Sequence, residues 1–166
     1  MENRPKIELT LSQFDKIIEL VSIIFLIAMW LQTAYTLIKL PAIIPIHFNA
    51  AGKADNYGDK TTLLILPILA TIIYFAFSAL NKYPHNFNYT TRITAANAQQ
   101  QYTIATRLLR FIKMAVLIIF NLIILFTYLT TIGVVNGLGI WLLPIVLGLM
   151  IVPVMISIVL SSKKQK

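Results

Sequence analysis

"TLLILPILATIIYFAFSAL", residues 62–80, decides the fold. It carries no charged side chain. A helix rises about 1.5 Å per residue, so roughly 20 such residues cross the 30 Å hydrocarbon layer of a bilayer. Three more stretches have similar length: "IIELVSIIFLIAMWLQTAYTLI" (17–38), "MAVLIIFNLIILFTYLTTI" (114–132) and "LGIWLLPIVLGLMIVPVMISIVL" (138–160). The last two are also free of charge. Alternating strand patterns are absent, which argues against a transmembrane barrel. The expected fold is all-α: a single integral membrane four-helix bundle over residues 1–166.

Composition agrees. Of 166 residues, 58% are hydrophobic and 12% charged, against about 45–50% and 25% in soluble domains. Mean hydropathy is +0.78. The absence of cysteine excludes disulfides, thiolate metal sites and a cysteine nucleophile. The net charge of +8 comes from bases that flank apolar runs. Membrane lipids with anionic headgroups, and not nucleic acid, are the partner this pattern implies. A polar N-terminus and the lack of a small-residue cleavage site after the first apolar run argue that this run is retained.

The positions of the bases set the orientation. Arg4, Lys6 and Lys16 precede or open span one. Lys82, Arg92, Arg107, Arg110 and Lys113 lie between spans two and three, and Lys163, Lys164 and Lys166 follow span four. The opposite side has Lys39, Lys53 and Lys60. By the positive-inside rule both termini are cytoplasmic, N-in and C-in. Loop 39–61 then faces outward, and residues 81–113 form the cytoplasmic segment.

Within this frame Pro67, Pro144 and Pro153 are expected to remove backbone donors and to kink helices. "GVVNGLG" (133–139) reads as a tight turn that makes spans three and four antiparallel neighbours. Glu19 reads as a headgroup-level acid paired with Lys16; the sharper alternative is an intramembrane proton or cation site. Aromatic residues alternate with asparagine in "NKYPHNFNYTTR" (81–92), as in an ordered interfacial loop, with His85 a polar surface residue. From Thr94, an expected N-cap, a helix runs without a break into span three. Arg107, Arg110 and Lys113 recur at i, i+3 and i+6 and would meet lipid headgroups at roughly 1 kcal/mol each. Docking of a cytoplasmic partner is the alternative use of that stripe.

The outward loop, "LPAIIPIHFNAAGKADNYGDK" (40–60), is dense in turn chemistry. Pro41 ends span one and holds the preceding residue extended. Gly52 and Gly58 admit left-handed backbone, and Asn49, Asp55 and Asn56 favour turns. An ordered cap is expected, with His47, Asn49, Gly52, Asp55, Gly58 and Lys60 as a candidate binding site for a peptide, a lipid headgroup or a cation. The competing reading is that these residues only cap helices. His47 and Asp55 are too few for a zinc site. No H-E-x-x-H, G-x-S-x-G or P-loop is present. No catalytic residue, resident metal or cofactor is therefore assigned, and a metal-dependent enzyme stays a minor alternative.

The pattern P-x-x-I-P-x-H-F-N-x-x-G-x-x-D-x-Y-G-x-K from Pro41 to Lys60 resembles the signature of a bacterial membrane domain of unknown function. That domain also forms the N-terminal part of SdpI-type immunity proteins. "NKYPHNFNY" (81–89) and "NAQQQYTIATRLLRFIK" (97–113) look like its second and third motifs, so the resemblance covers about residues 20–115. It implies a multi-pass protein of the bacterial cytoplasmic (inner) membrane. For SdpI-type members it implies a peptide toxin as partner. A non-enzymatic binding protein, in toxin immunity or envelope signalling, is the expected function. An accessory subunit with a membrane-protein partner is the alternative.

Overall fold

A computed structural model describes residues 4–162; the expected basic tail at Lys163, Lys164 and Lys166 lies outside them. Four helices in it are long and apolar enough to cross a membrane. They are α1 (Gln13–Lys39), α2 (Ile65–Leu80, entered through a 3-10 turn over Lys60–Leu64), α3 (Ala98–Thr131) and α4 (Leu142–Ser162). The expected membrane four-helix bundle is what forms. Between α1 and α2 two strands appear, β1 (Ile43–Phe48) and β2 (Ala54–Asp59).

Local chemistry fixes each end. Ser12 and Asp15 make a reciprocal capping box at the start of α1. At its end Leu40 is extended (φ −86°, ψ 155°), as Pro41 requires. Along α1 the buried residues Ile18, Ser22, Leu26, Met29, Thr33 and Thr36 fall three or four apart, forming one stripe. Its hydroxyls are satisfied inside the helix: Ser22 donates to Ile18 O (2.7 Å), Thr33 to Met29 O (2.8 Å) and Thr36 to Gln32 O (2.8 Å). That is what permits polar side chains in an apolar layer.

The stripe packs on α3. The two helices run parallel, with partners a near-constant distance apart in sequence. Asp15 meets Arg107, and Asn121 Nδ2 donates to Phe25 O at 3.0 Å. Tyr35 and Tyr128 lie ring against ring at 5.6 Å. Leu26, Met29, Ala70, Leu117 and Ile124 form the buried centre of α1, α2 and α3. Trp30 Nε1 donates to Thr71 Oγ1 (3.1 Å) and links α1 to α2. α4 contributes no fully buried residue and lies along α3. Its start is turned back by the 133–141 loop, and its end is tied to α3 by Gln101 Nε2 donating to Ser161 O (3.0 Å).

Two readings change. Pro67 and Pro144 are each the third residue of their helix. For Pro144 the missing N–H had no helical partner to lose; Pro67 stands where the 3-10 turn passes into α2, and Pro153 lies deep inside α4. Thr94 is not the cap of α3. Its carbonyl accepts from Asn97 and Ala98, and the helix begins after Asn97, whose side chain bonds Thr94 N–H and Arg92 O. The unbroken run from the extension into span three is present.

The molecule thus has two ends. One gathers the N-terminal segment, residues 81–97, the start of α3 and the end of α4. There Tyr102 donates to Pro5 O (3.0 Å), and Arg4 donates to His85 O (3.2 Å) and Phe87 O (2.5 Å). The other end holds the β-hairpin and the 133–141 loop. Charge makes the first the basic end.

Candidate functional site

The loop between α1 and α2 folds as an antiparallel hairpin. Ile43 pairs with Asp59, Ile44 with Gly58 and Pro45 with Tyr57; the register then slips, so that His47 faces Asn56 and Phe48 faces Ala54. Ile44 roots it, fully buried with Leu40 and Leu63 against Tyr128. A two-stranded ribbon is marginal alone in water, and this buried anchor is what holds it on the bundle.

Four of the six expected site residues are spent on architecture. Asn49 Oδ1 accepts from the amides of Ala51 (3.0 Å) and Lys53 (3.1 Å), closing the turn. Gly52 has φ +74°, and an added Cβ would lie 2.5 Å from Gly139 O. Its own carbonyl accepts from Leu138 N (2.7 Å), so the hairpin tip is stitched backbone to backbone onto the 133–141 loop. A Cβ on Gly58 would sit 2.6 Å from Ile46 Cδ1. Lys60 Nζ donates to Leu40 O at 2.8 Å and caps the end of α1. Asp59, which sequence reasoning passed over, caps the following 3-10 turn. The hydroxyl and amide of Thr61 hold its carboxyl below the usual carboxylate range.

His47 and Asp55 remain. Nδ1 of His47 donates to Asp55 Oδ1 at 2.5 Å, with side chains 65% and 40% exposed. Because a carboxylate only accepts, the proton sits on Nδ1, and in the neutral ring Nε2 is a free acceptor. Behind the imidazole lies a cavity of about 320 Å³. Ile46, Phe48, Leu66, Ile123, Thr127 and Leu138 line its wall. His47, held by Asp55, thus stands at the rim of an apolar recess, the usual form of a ligand site. Among the described residues no three His, Asp or Glu side chains converge in a metal-holding group.

The basic stripe differs most from expectation. Arg107, Arg110 and Lys113 each meet an acid of α1. Arg107 forks onto Asp15, Nε to Oδ1 at 2.9 Å and Nη2 to Oδ2 at 3.1 Å. Arg110 Nε lies 3.2 Å from Glu19 Oε1, and Lys113 Nζ donates to Glu19 Oε2 at 2.6 Å. Lys113 is wholly buried; it also donates to Ser78 Oγ (2.9 Å) and sits 4.5 Å over the Tyr74 ring. The pairing of Glu19 with Lys16 is likewise corrected: Lys16 is exposed, and Glu19 serves Arg110 and Lys113. The physical reason is the cost of charge near hydrocarbon, which these groups offset by facing opposite charges across the α1–α3 seam.

Residues 24–71 match the family described as "Domain of unknown function (DUF1648)". That stretch holds the second half of α1, the whole hairpin and the start of α2. An uncharacterized protein of Archaeoglobus fulgidus is 33% identical over 75 residues, which cover 40% of this chain and 41% of the relative. The chain therefore spans about two fifths of the relative it matches. No solved structure matches it.

Proposed function

We propose that this is a non-enzymatic binding protein of the bacterial inner membrane, with both termini cytoplasmic and the hairpin outward, where it takes an extended peptide. The His47–Asp55 pair carries the reading: it is exposed, bonds no other side chain among the described residues, and sets His47 above an apolar recess while its neighbours are spent on caps. The recess accepts an apolar side chain, Nε2 of His47 accepts a peptide N–H, and Asp55 favours a basic residue. Both strands of the two-stranded sheet are also edge strands, the kind of element onto which a peptide strand adds. Such a receptor suits toxin immunity or envelope signalling. The nearly bare exterior of α4 favours, as a second reading, an accessory role beside a larger membrane protein.

The test is photo-crosslinking from position 57, beside the pair, in cells exposed to secreted peptides. Wild type should yield a peptide adduct; His47→Ala and Asp55→Asn should insert normally and lose both adduct and any toxin tolerance. Unchanged adducts and tolerance at normal abundance would defeat the reading.

A further inference from the structure

At the basic end, where α2 stops at Leu80, a cleft of about 460 Å³ opens between α1, the end of α2, α3 and the N-terminal segment. Its polar lining is Glu8, Glu19, Ser78, Asn81, Lys82 and Arg110; Ile7, Leu9 and Leu11 supply an apolar wall. Both polar atoms of the Asn81 side chain are buried without a hydrogen-bond partner. The Arg110 side chain is only 7% exposed, and its Nε, though near Glu19, makes no well-directed hydrogen bond. Buried polar groups left unmade cost about 1–3 kcal/mol each, so the two of Asn81, beside the poorly directed Arg110 contact, mark a site built for something else to complete.

We propose that this cleft binds the headgroup of a zwitterionic phospholipid bearing a primary ammonium. Two acids and two bases line it, which selects a ligand carrying both charges over a simple anion. The orphaned amide needs an acceptor and a donor at once: Nδ2 donates to a phosphate oxygen and Oδ1 accepts from the ammonium. Lys82 and Arg110 face the phosphate; Glu8 and Glu19 face the ammonium. The position favours a lipid over a free metabolite. Asn81 and Lys82 directly follow a helix long and apolar enough to cross a membrane, which puts them at headgroup level, and Ile7, Leu9 and Leu11 give a glycerol backbone and its first methylenes an apolar seat. This site lies at the opposite end from the hairpin and does not depend on the peptide reading.

The test uses the delipidated full-length protein in non-ionic detergent, with ligand binding followed by native mass spectrometry and thermal unfolding. Phosphatidylethanolamine should bind and stabilise. Phosphatidylcholine, whose ammonium donates no hydrogen bond, and anionic phosphatidylglycerol should bind at least about 10-fold more weakly. Asn81→Ala and Lys82→Ala should lose that preference without lowering the unliganded unfolding midpoint, since neither side chain belongs to the α1–α3 ion pairs and the Asn81 amide is unpaired in the empty cleft. Glycerophosphoethanolamine separates the sources: matching the whole lipid would overturn the lipid assignment and leave a soluble zwitterion as the ligand. Equal binding of the three lipids, or unchanged preference in both variants, overturns the site.

Discussion

Replacing Glu19 by glutamine keeps the shape of the side chain and removes one charge from the α1–α3 seam. That leaves Lys113, wholly buried, and Arg110, nearly so, without their shared carboxylate. At separations of 2.6 and 3.2 Å, Coulomb's law with an effective dielectric of about 20 gives roughly 5–6 kcal/mol of gross attraction for each contact. Desolvation offsets most of it. Removing one partner of a buried pair costs about 3–5 kcal/mol, because the remaining charge stays buried and unmatched. Glu19→Gln should therefore lower stability by about 3–5 kcal/mol. Lys113→Met leaves Glu19 and Arg110 matched one to one and should cost less, about 1.5–3 kcal/mol for its charged hydrogen bonds. The double variant should fall short of the sum by at least about 1 kcal/mol. Lys16→Met is the control and should stay within about 0.5 kcal/mol of wild type. Equilibrium unfolding in mixed detergent, followed by circular dichroism, reads all four. Near-wild-type stability of Glu19→Gln, or an equal loss in Lys16→Met, would refute the reasoning.

Two further outcomes follow from local geometry. Gly52→Ala puts a Cβ into Gly139 O on a backbone at φ +74°, whereas Gly133→Ala meets open space at φ +76°. Both carry left-handed strain of about 1–2 kcal/mol, but only Gly52→Ala should free the hairpin tip, read as faster tryptic cleavage at Lys53 with the helices intact; equal cleavage in both would contradict the stitched contact. Burial first, then the neighbouring Tyr102, holds the Tyr89 hydroxyl above the ordinary phenol range, against the pull of Arg4. The folded state thus keeps that proton more tightly, so its stabilisation is complete below pH about 10 and is lost as pH rises above it. Tyr89→Phe should flatten this alkaline loss in unfolding midpoints; an unchanged slope would show that another group governs it.

The spans were legible because charge-free runs of bilayer length have few alternatives, and Pro41 marked the end of α1. The hairpin was legible only as an ordered loop: Pro45 and the register slip near His47 blur the alternation that announces strands. Asn49 and Lys60 look the same in sequence whether they bind a ligand or cap a backbone, and only their partners, the Ala51 and Lys53 amides and Leu40 O, separate the two. The ion pairs were hidden because their members lie 92 and 94 residues apart. A signal was present: acids at 15 and 19 and bases at 107, 110 and 113 have matching helical spacing, as two parallel helices in register require. Reading the bases alone sent them toward lipid. The cleft at Asn81 left no trace in sequence, because an unpaired amide is a property of packing.

The hairpin and the basic end are expected on opposite faces of a membrane. The chain has no native cysteine, so single substitutions Ala50→Cys at the hairpin tip and Asn88→Cys in the 81–97 segment report each face cleanly. An impermeant thiol reagent applied to intact cells should label Ala50→Cys at once and Asn88→Cys only after lysis. Labelling of Asn88→Cys in intact cells, with Ala50→Cys protected, would contradict it.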